Sequence, residues 1–289
     1  LEEELLTALQ GVDLHFWGGE EIYTPRIARA LNQNFKSFFI GIDPHFFCPK
    51  EAWDILAERN ISIIPTGGGE RAVVRSTFDI LYNDMLISSR VARQFDWPLW
   101  EPGSIREYLR EVGFGVIGSG KIAKLLLDEA FLDFKNVYYW GRTKKEDLEK
   151  LKIPYERYLK RAFSKARIIS INLAQVPDLI RYEHLSRIPK NSILINSSRA
   201  ITIKARSLRR FLRERPDVLY ITDVFYVEGK AYEELKFAQG GIDKVYRDII
   251  DCPNVIFTEH RFASRHPEIA TAEYSENLLR ILREQGIIT

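Results

Sequence analysis

Apolar residues in the first ninety positions come in short runs, separated by stretches with helical periodicity. Three of these runs predict buried strands, at residues 13–17, 36–42 and 61–65. Pro25 and Pro49 each stand at the first-turn position of a predicted helix between two strands. Strands that alternate with helices indicate a parallel sheet with helices on both faces.

The same alternation returns in the second part of the chain. A helix is predicted from about residue 70 to residue 93, and residues 96–104, DWPLWEPGS, predict a linker. Six further apolar runs predict a second sheet, at residues 113–117, 136–140, 167–172, 192–196, 218–224 and 254–258. A last helix is predicted at residues 267–284. We therefore predict an α/β protein of two Rossmann-like domains with doubly wound parallel sheets. Residues 1–89 plus 268–289 form the first domain and residues 90–267 the second.

A glycine cluster follows the first strand of the second sheet, in the stretch GVIGSGKIAKLL at residues 115–126. Gly118 allows a tight turn, Gly120 allows a pyrophosphate to approach the backbone, and Ala123 allows the helix to pack closely on the strand. The free N–H groups of the first helical turn suit phosphate oxygens. A plain strand–turn–helix without a ligand is the alternative. The predicted dinucleotide contacts in this turn are Gly118, Ser119, Gly120, Lys121 and Ile122.

The next strand ends in YYWGRTKK, residues 138–145, where an NAD site usually has Asp or Glu for the ribose 2′-hydroxyl. Arg142, Thr143 and Lys144 stand there instead. A guanidinium binds a 2′-phosphate through charge-assisted hydrogen bonds, whereas a carboxylate would repel it. The sequence therefore favours NADP(H) over NAD(H), and NAD(H) at an ordinary basic turn is the alternative.

Charged residues follow three later strands, in LINSSRA, ITDVFYVEG and PNVIFTEH. Because carboxyl ends of parallel strands share one edge, Arg199, Glu228 and His260 are expected to converge there. Arg199 would pair with the carboxylate of a 2-keto acid, His260 would exchange the hydroxyl proton, and Glu228 would orient the imidazole and raise its pKa. Each residue taken singly also fits a structural role. A dinucleotide-sensing protein without catalytic activity is therefore a second hypothesis.

Together, GVIGSGKIA, ILINSSRA, TDVFYVEG and NVIFTEH resemble the D-isomer-specific 2-hydroxyacid dehydrogenases, which include glyoxylate/hydroxypyruvate reductases and phosphoglycerate dehydrogenases. The resemblance extends over nearly the whole chain. It implies Arg199, Glu228 and His260 as the catalytic set and a homodimer. It also implies a flavodoxin-like first domain that binds substrate, with the cofactor in the cleft between the domains. The implied contacts are Leu173, Asn196, Ser198 and Asp223 for the cofactor, and Ile40, Gly41 and Arg199 for the substrate.

Five positions depart from the family's pattern without removing a reacting group. They are Phe39 in the carboxylate loop, Arg75 in place of an acidic residue, Ala200 in place of glycine, Gly229 in place of proline and Glu259 in place of proline. These departures suggest an outlying member with a substrate of its own.

The composition of the chain argues against several other classes of protein. A net charge of +2 over 289 residues argues against a dedicated nucleic-acid binder. Two cysteines, Cys48 and Cys252, provide no disulfide framework or metal site, and the proposed reaction needs no metal. No apolar run is long enough for a membrane span, so we expect a cytoplasmic enzyme. The chain opens within a predicted helix, LEEELLTALQ, and we expect further residues before Leu1.

Overall fold

A computed structural model describes residues 2–17, 23–39, 48–82, 111–174, 176–226, 241–258 and 261–288. The chain divides into two compact units, one of Leu1–Gly69 with Pro267–Thr289 and one of Glu70–His266. The predicted linker and the predicted domain boundary at residue 89 lie outside the described residues, so both stay predictions.

Nine strands are described, and each lies within one of the predicted apolar runs. In chain order they are β1 (Leu14–Trp17), β2 (Lys36–Phe39), β3 (Ile63–Pro65), β4 (Phe114–Ile117), β5 (Val137–Trp140), β6 (Ile168–Ile171), β7 (Ile193–Asn196), β8 (Leu219–Thr222) and β9 (Val255–Phe257). The described α-helices in chain order are α1 (Glu2–Ala8), α2 (Pro25–Ala30), α3 (Lys50–Glu58), α4 (Glu70–Tyr82), α5 (Lys121–Asp133), α6 (Glu146–Lys150), α7 (Leu159–Ala162), α8 (Tyr182–Leu185), α9 (Ala205–Glu214), α10 (Gly241–Ile250) and α11 (Pro267–Glu284).

The first unit contains a parallel sheet in the order β1-β2-β3. Helix α2 begins as its sequence predicts, because Thr24 accepts a hydrogen bond from the Ile27 amide at 3.3 Å and Pro25 occupies the first turn. The side chain of Phe38 is fully buried and packs with Ile281 and Leu282 of α11. The carboxy-terminal helix therefore contributes to the core of the first unit.

The second unit contains a parallel sheet in the order β5-β4-β6-β7-β8-β9. Every residue of β4 to β8 is buried, which explains their continuous apolar sequences, because helices cover both faces of such a sheet. One face packs around Phe114, Leu126 and Tyr139, and the other around Leu194 and Phe211. The strand order reverses between β4 and β6, and in this class of fold a ligand binds outside the carboxyl ends of the strands at that point. The predicted α/β fold with doubly wound parallel strands is confirmed.

The arginine-rich segment RSLRRFLRER lies mostly on α9, and most of its arginines pair with acidic neighbours. Asp248 of α10 pairs with Arg209 at 3.3 Å and with Arg213 at 2.9 Å, and Arg210 pairs with Glu214 at 2.8 Å. Over the described ranges, no helix is both long and apolar enough to cross a membrane. Among the same residues, no group of three His, Cys, Asp or Glu side chains could hold a metal ion.

Candidate dinucleotide site

The turn after β4 requires glycine at its first position. Gly118 has a φ of +144°, and a Cβ there would lie 2.0 Å from the carbonyl oxygen of Asn172. The Gly118 amide donates to the Trp140 carbonyl at 2.7 Å. A side chain would therefore separate β4 from its neighbours at the end of the sheet.

Gly120, two residues on, is constrained differently. It is the N-cap of α5 with a φ of −79°, and a Cβ built on it meets nothing within 4 Å. The backbone itself does not need glycine here, but the open space beside it suits a ligand that approaches the main chain. The N–H groups of the first turn of α5 have no partner within their own helix and carry the positive end of its dipole. These residues fit the pyrophosphate of a dinucleotide.

The loop after β5 contacts the glycine turn directly. A Cβ on Gly141 would lie 2.8 Å from the Ser119 Oγ, so the two segments meet without space for a side chain. Arg142, Thr143 and Lys144 are all exposed. Lys144 pairs with Glu149, and this hydrogen bond raises the pKa of its ammonium. Arg142 makes no hydrogen bond or ion pair with the part of the chain that the structure describes. Its guanidinium is therefore available to a phosphate.

A row of polar residues continues the strand ladders at the carboxyl edge. The Asn172 amide donates to Ile117 at 2.8 Å, and the Asp223 amide donates to Asn196 at 3.0 Å. Parallel pairing thus sets Gly118, Asn172 and Asp223 at one level of the edge, with Asn196 one residue before that level on β7. The predicted cofactor residues Gly118, Asn196 and Asp223 therefore share one edge.

Asn196 and Asn172 organise the loop after β7. The fully buried Asn196 accepts through Oδ1 from the Ser198 amide at 3.1 Å and from the Ser198 Oγ at 2.8 Å. The Ser197 Oγ donates to the Asn172 Oδ1 at 2.6 Å. These bonds fix the two residues that precede Arg199, which is half-buried and begins a short 3₁₀ helix, Ala200–Thr202.

Asp223 is buried and anchors the segment after β9. Its Oδ1 accepts from the Thr258 Oγ1 at 2.6 Å and from the Phe262 amide at 3.0 Å. The two donors flank residues 259 and 260. His260 itself, with Glu228, Ile40 and Gly41, lies outside the described residues, so the predicted roles of these four stay predictions. Leu173 is half-buried and packs on the apolar core of one sheet face.

Glu70 was not predicted as part of the site, yet it contacts α5, the helix that follows the glycine turn. It is 8% exposed, and its Oε1 lies 3.0 Å from the Nζ of Lys121. Its Oε2 is buried and makes no hydrogen bond with the residues that the structure describes. A carboxylate with one unsatisfied oxygen is costly in a protein interior, so this pair calls for a functional explanation.

Asn172, Ser197 and Thr258 are further polar members of the edge that the sequence analysis did not name. Their position in the sequence could have predicted them, because each comes directly after a buried strand or beside a predicted site residue. Their hydrogen bonds join different strands, and hydrophobic periodicity does not report such contacts.

Comparison with known proteins places this architecture in a family. Residues 81–261 match the family model described as D-isomer specific 2-hydroxyacid dehydrogenase, NAD binding domain. YoaD of Bacillus subtilis (strain 168), which is named as a 2-hydroxyacid dehydrogenase, is 33% identical over 153 residues, a match that spans 52% of this chain and 38% of YoaD. The chain therefore covers less than half the length of that relative.

Solved structures share the fold at low sequence identity. A D-lactate dehydrogenase from a Sporolactobacillus species is 16% identical with a TM-score of 0.72, over 98% of this chain and 85% of that one. The NAD-complexed D-isomer specific 2-hydroxyacid dehydrogenase of Lactobacillus delbrueckii ssp. bulgaricus is 15% identical with a TM-score of 0.68, over 98% and 87% of the two chains. The family model covers more than half of the sequence, and the six-stranded unit has the edge geometry that such a domain needs. The chain belongs to the D-isomer specific 2-hydroxyacid dehydrogenases, a family of oxidoreductases, and residues 81–261 correspond to its nicotinamide-dinucleotide-binding domain.

Proposed function

We propose that the protein reduces a small 2-keto acid of the glyoxylate or hydroxypyruvate type to the D-2-hydroxy acid, reversibly and with NADPH. One observation carries the proposal: the glycine turn, Arg199 and Asp223 follow strands β4, β7 and β8, whose carboxyl ends share one edge of the sheet of a dehydrogenase-family domain. A dinucleotide turn and a cation for a carboxylate at one edge suit hydride transfer to a keto acid.

The protein's own groups would bind and polarise the substrate. Arg199 pairs with the substrate carboxylate and draws electron density from the ketone. His260 gives its proton to the carbonyl oxygen as the alcohol forms, and Glu228 holds the imidazole in the required tautomer. When bound, the reduced nicotinamide supplies the hydride for carbon 2. A sensor that only binds a dinucleotide has no need for this proton donor.

The proposed preference for NADPH rests on the loop after β5. Residues 142–145 are Arg, Thr, Lys and Lys, without a carboxylate that would repel a 2′-phosphate. Arg142 is exposed beside the turn, and Lys144 already pairs with Glu149. Arg142 is therefore assigned the 2′-phosphate, with Thr143 as a hydroxyl donor.

A panel of 2-keto acids, followed by the absorbance of the reduced nicotinamide, tests the proposal. Wild-type protein should consume NADPH faster than NADH, and Arg199→Ala should lose at least a hundredfold in kcat/KM. The exposed Arg187 provides a matched control, because Arg187→Ala should turn over like wild type. Equal turnover of Arg199→Ala and wild type would contradict the catalytic assignment. The homodimer and the cytoplasmic location also stay proposals. Sedimentation analysis can test the homodimer.

A further inference from the structure

Two tyrosine hydroxyls hold the ends of the loop at residues 141–145. The hydroxyl of Tyr155 donates to the Gly141 carbonyl at 3.1 Å. The hydroxyl of Tyr139 accepts from the Lys145 amide at 2.9 Å. The loop is thus bonded to the protein just before Arg142 and again three residues after it.

A short backbone pairing places Tyr155 beside the loop. The Tyr139 amide donates to the Pro154 carbonyl at 3.0 Å, and the Glu156 amide donates to the Tyr139 carbonyl at 2.8 Å. The residues 154–156 therefore extend the sheet at β5, and the two tyrosine rings lie 5.3 Å apart. Tyr139 is fully buried and Tyr155 is half-buried. The pairing therefore holds the backbone of both tyrosines beside the loop.

These contacts restrict the peptide that leads into Arg142. On one side Gly141 lies against the Ser119 side chain, and on the other its carbonyl is held by Tyr155. The plane of the peptide between Gly141 and Arg142 is fixed by that carbonyl. Together with the bond from the Lys145 amide to Tyr139, this restricts the direction in which the Arg142 side chain leaves the backbone, although the side chain itself is exposed.

We propose that Tyr155 and Tyr139 are positioning residues for cofactor selectivity, since they hold the loop in the shape that presents Arg142 to the 2′-phosphate. This inference rests on the proposed preference for NADPH. A preformed loop loses little conformational freedom when the phosphate binds, so the benefit applies to NADPH and not to NADH.

Tyr155→Phe removes one hydroxyl and keeps the ring. The Kd of NADPH should rise about three- to tenfold, as for the loss of one hydrogen bond, while the Kd of NADH changes less than twofold. Both constants can be measured by titration of protein fluorescence without substrate. Tyr139→Phe should act in the same direction, so the inference can be tested even where one variant folds poorly. Tyr182→Phe is the matched control, because its hydroxyl bonds Glu214 on α9 and should change neither constant.

A double-mutant cycle separates positioning from general stability. In the Arg142→Ala background, Tyr155→Phe should have no further effect on the Kd of NADPH. An equal loss of NADPH affinity in both backgrounds, or an equal loss for NADPH and NADH, would overturn the inference. Should Arg142→Ala leave the NADPH affinity unchanged, the proposed preference itself would fail. If Arg142→Ala lowers the NADPH affinity but neither tyrosine variant does, only the positioning role of the tyrosines is refuted.

Discussion

Gly118 and Gly120 stand two residues apart, yet an added methyl group should affect them in opposite ways. At Gly118 alanine meets the backbone of Asn172 and would be forced to a φ of +144°. At Gly120 the φ is −79° and a Cβ meets nothing within 4 Å. Gly118→Ala should therefore damage the fold, whereas Gly120→Ala should damage dinucleotide binding.

The contact distances give the size of each effect. The 2.0 Å separation from the Asn172 oxygen is short of normal contact by about 1 Å or more. Overpacking and backbone strain each cost about 1–3 kcal/mol, so Gly118→Ala should lower the free energy of unfolding by about 3–5 kcal/mol. Gly120→Ala should change it by less than about 1 kcal/mol, because a slightly poorer N-cap is offset by a less flexible unfolded chain.

Denaturant unfolding and dinucleotide titration test the pair together. Gly120→Ala should unfold like wild type, but the Kd values of NADPH and NADH should both rise at least tenfold, since the methyl group occupies the space assigned to the pyrophosphate. Tight binding by Gly120→Ala would refute the assignment of this space to the ligand. Equal stability of the two variants would refute the steric reasoning at Gly118.

Three further predictions use other contacts of the same unit. Glu70→Gln removes the negative charge beside Lys121, so the Kd values of NADPH and NADH should fall by a common factor of about 1.5 to 5 in fluorescence titrations. A change in the Kd of one cofactor only would contradict this. Asp223→Ala leaves the Thr258 hydroxyl and the Phe262 amide without their shared acceptor, so the free energy of unfolding should fall by about 2–4 kcal/mol in denaturant titrations. An unchanged unfolding midpoint would show that this acceptor is dispensable. Burial lowers the pKa of His184 below its ordinary value of 6.5, so the unfolded chain takes up the proton first and stability should decline as the pH falls below 6.5. Thermal unfolding at several pH values should show that His184→Asn loses less stability than wild type as the pH falls. An identical loss in the two proteins would exclude His184 as its source.

Buried strands and the glycine turn could be predicted from the sequence because both are local. A parallel strand covered on both faces needs a continuous apolar run, and β6, β7 and β8 show such runs plainly. The turn at Gly118 was predictable because a strand, glycines and a helix follow one another within a few residues.

Contacts between distant segments could not be predicted in this way. The bond from Tyr155 to Gly141 depends on a backbone pairing that no periodicity reports. The pairing of Glu70 with Lys121 joins residues fifty-one positions apart, through the packing of α4 against α5. Likewise, Lys144 was assigned to the cofactor from its charge alone, whereas its pairing with Glu149 appears only once α6 is placed.

Transfer of deuterium from NADPH labelled at the hydride position to hydroxypyruvate tests the proposed reduction, because the product then has a stereocentre at carbon 2. Mass spectrometry and chiral separation of the product give the number of deuterium atoms and the configuration at carbon 2. We expect one deuterium in a D-2-hydroxy acid, with transfer lost in Arg199→Ala. A product without deuterium, an L-2-hydroxy acid, or undiminished transfer by Arg199→Ala would contradict it.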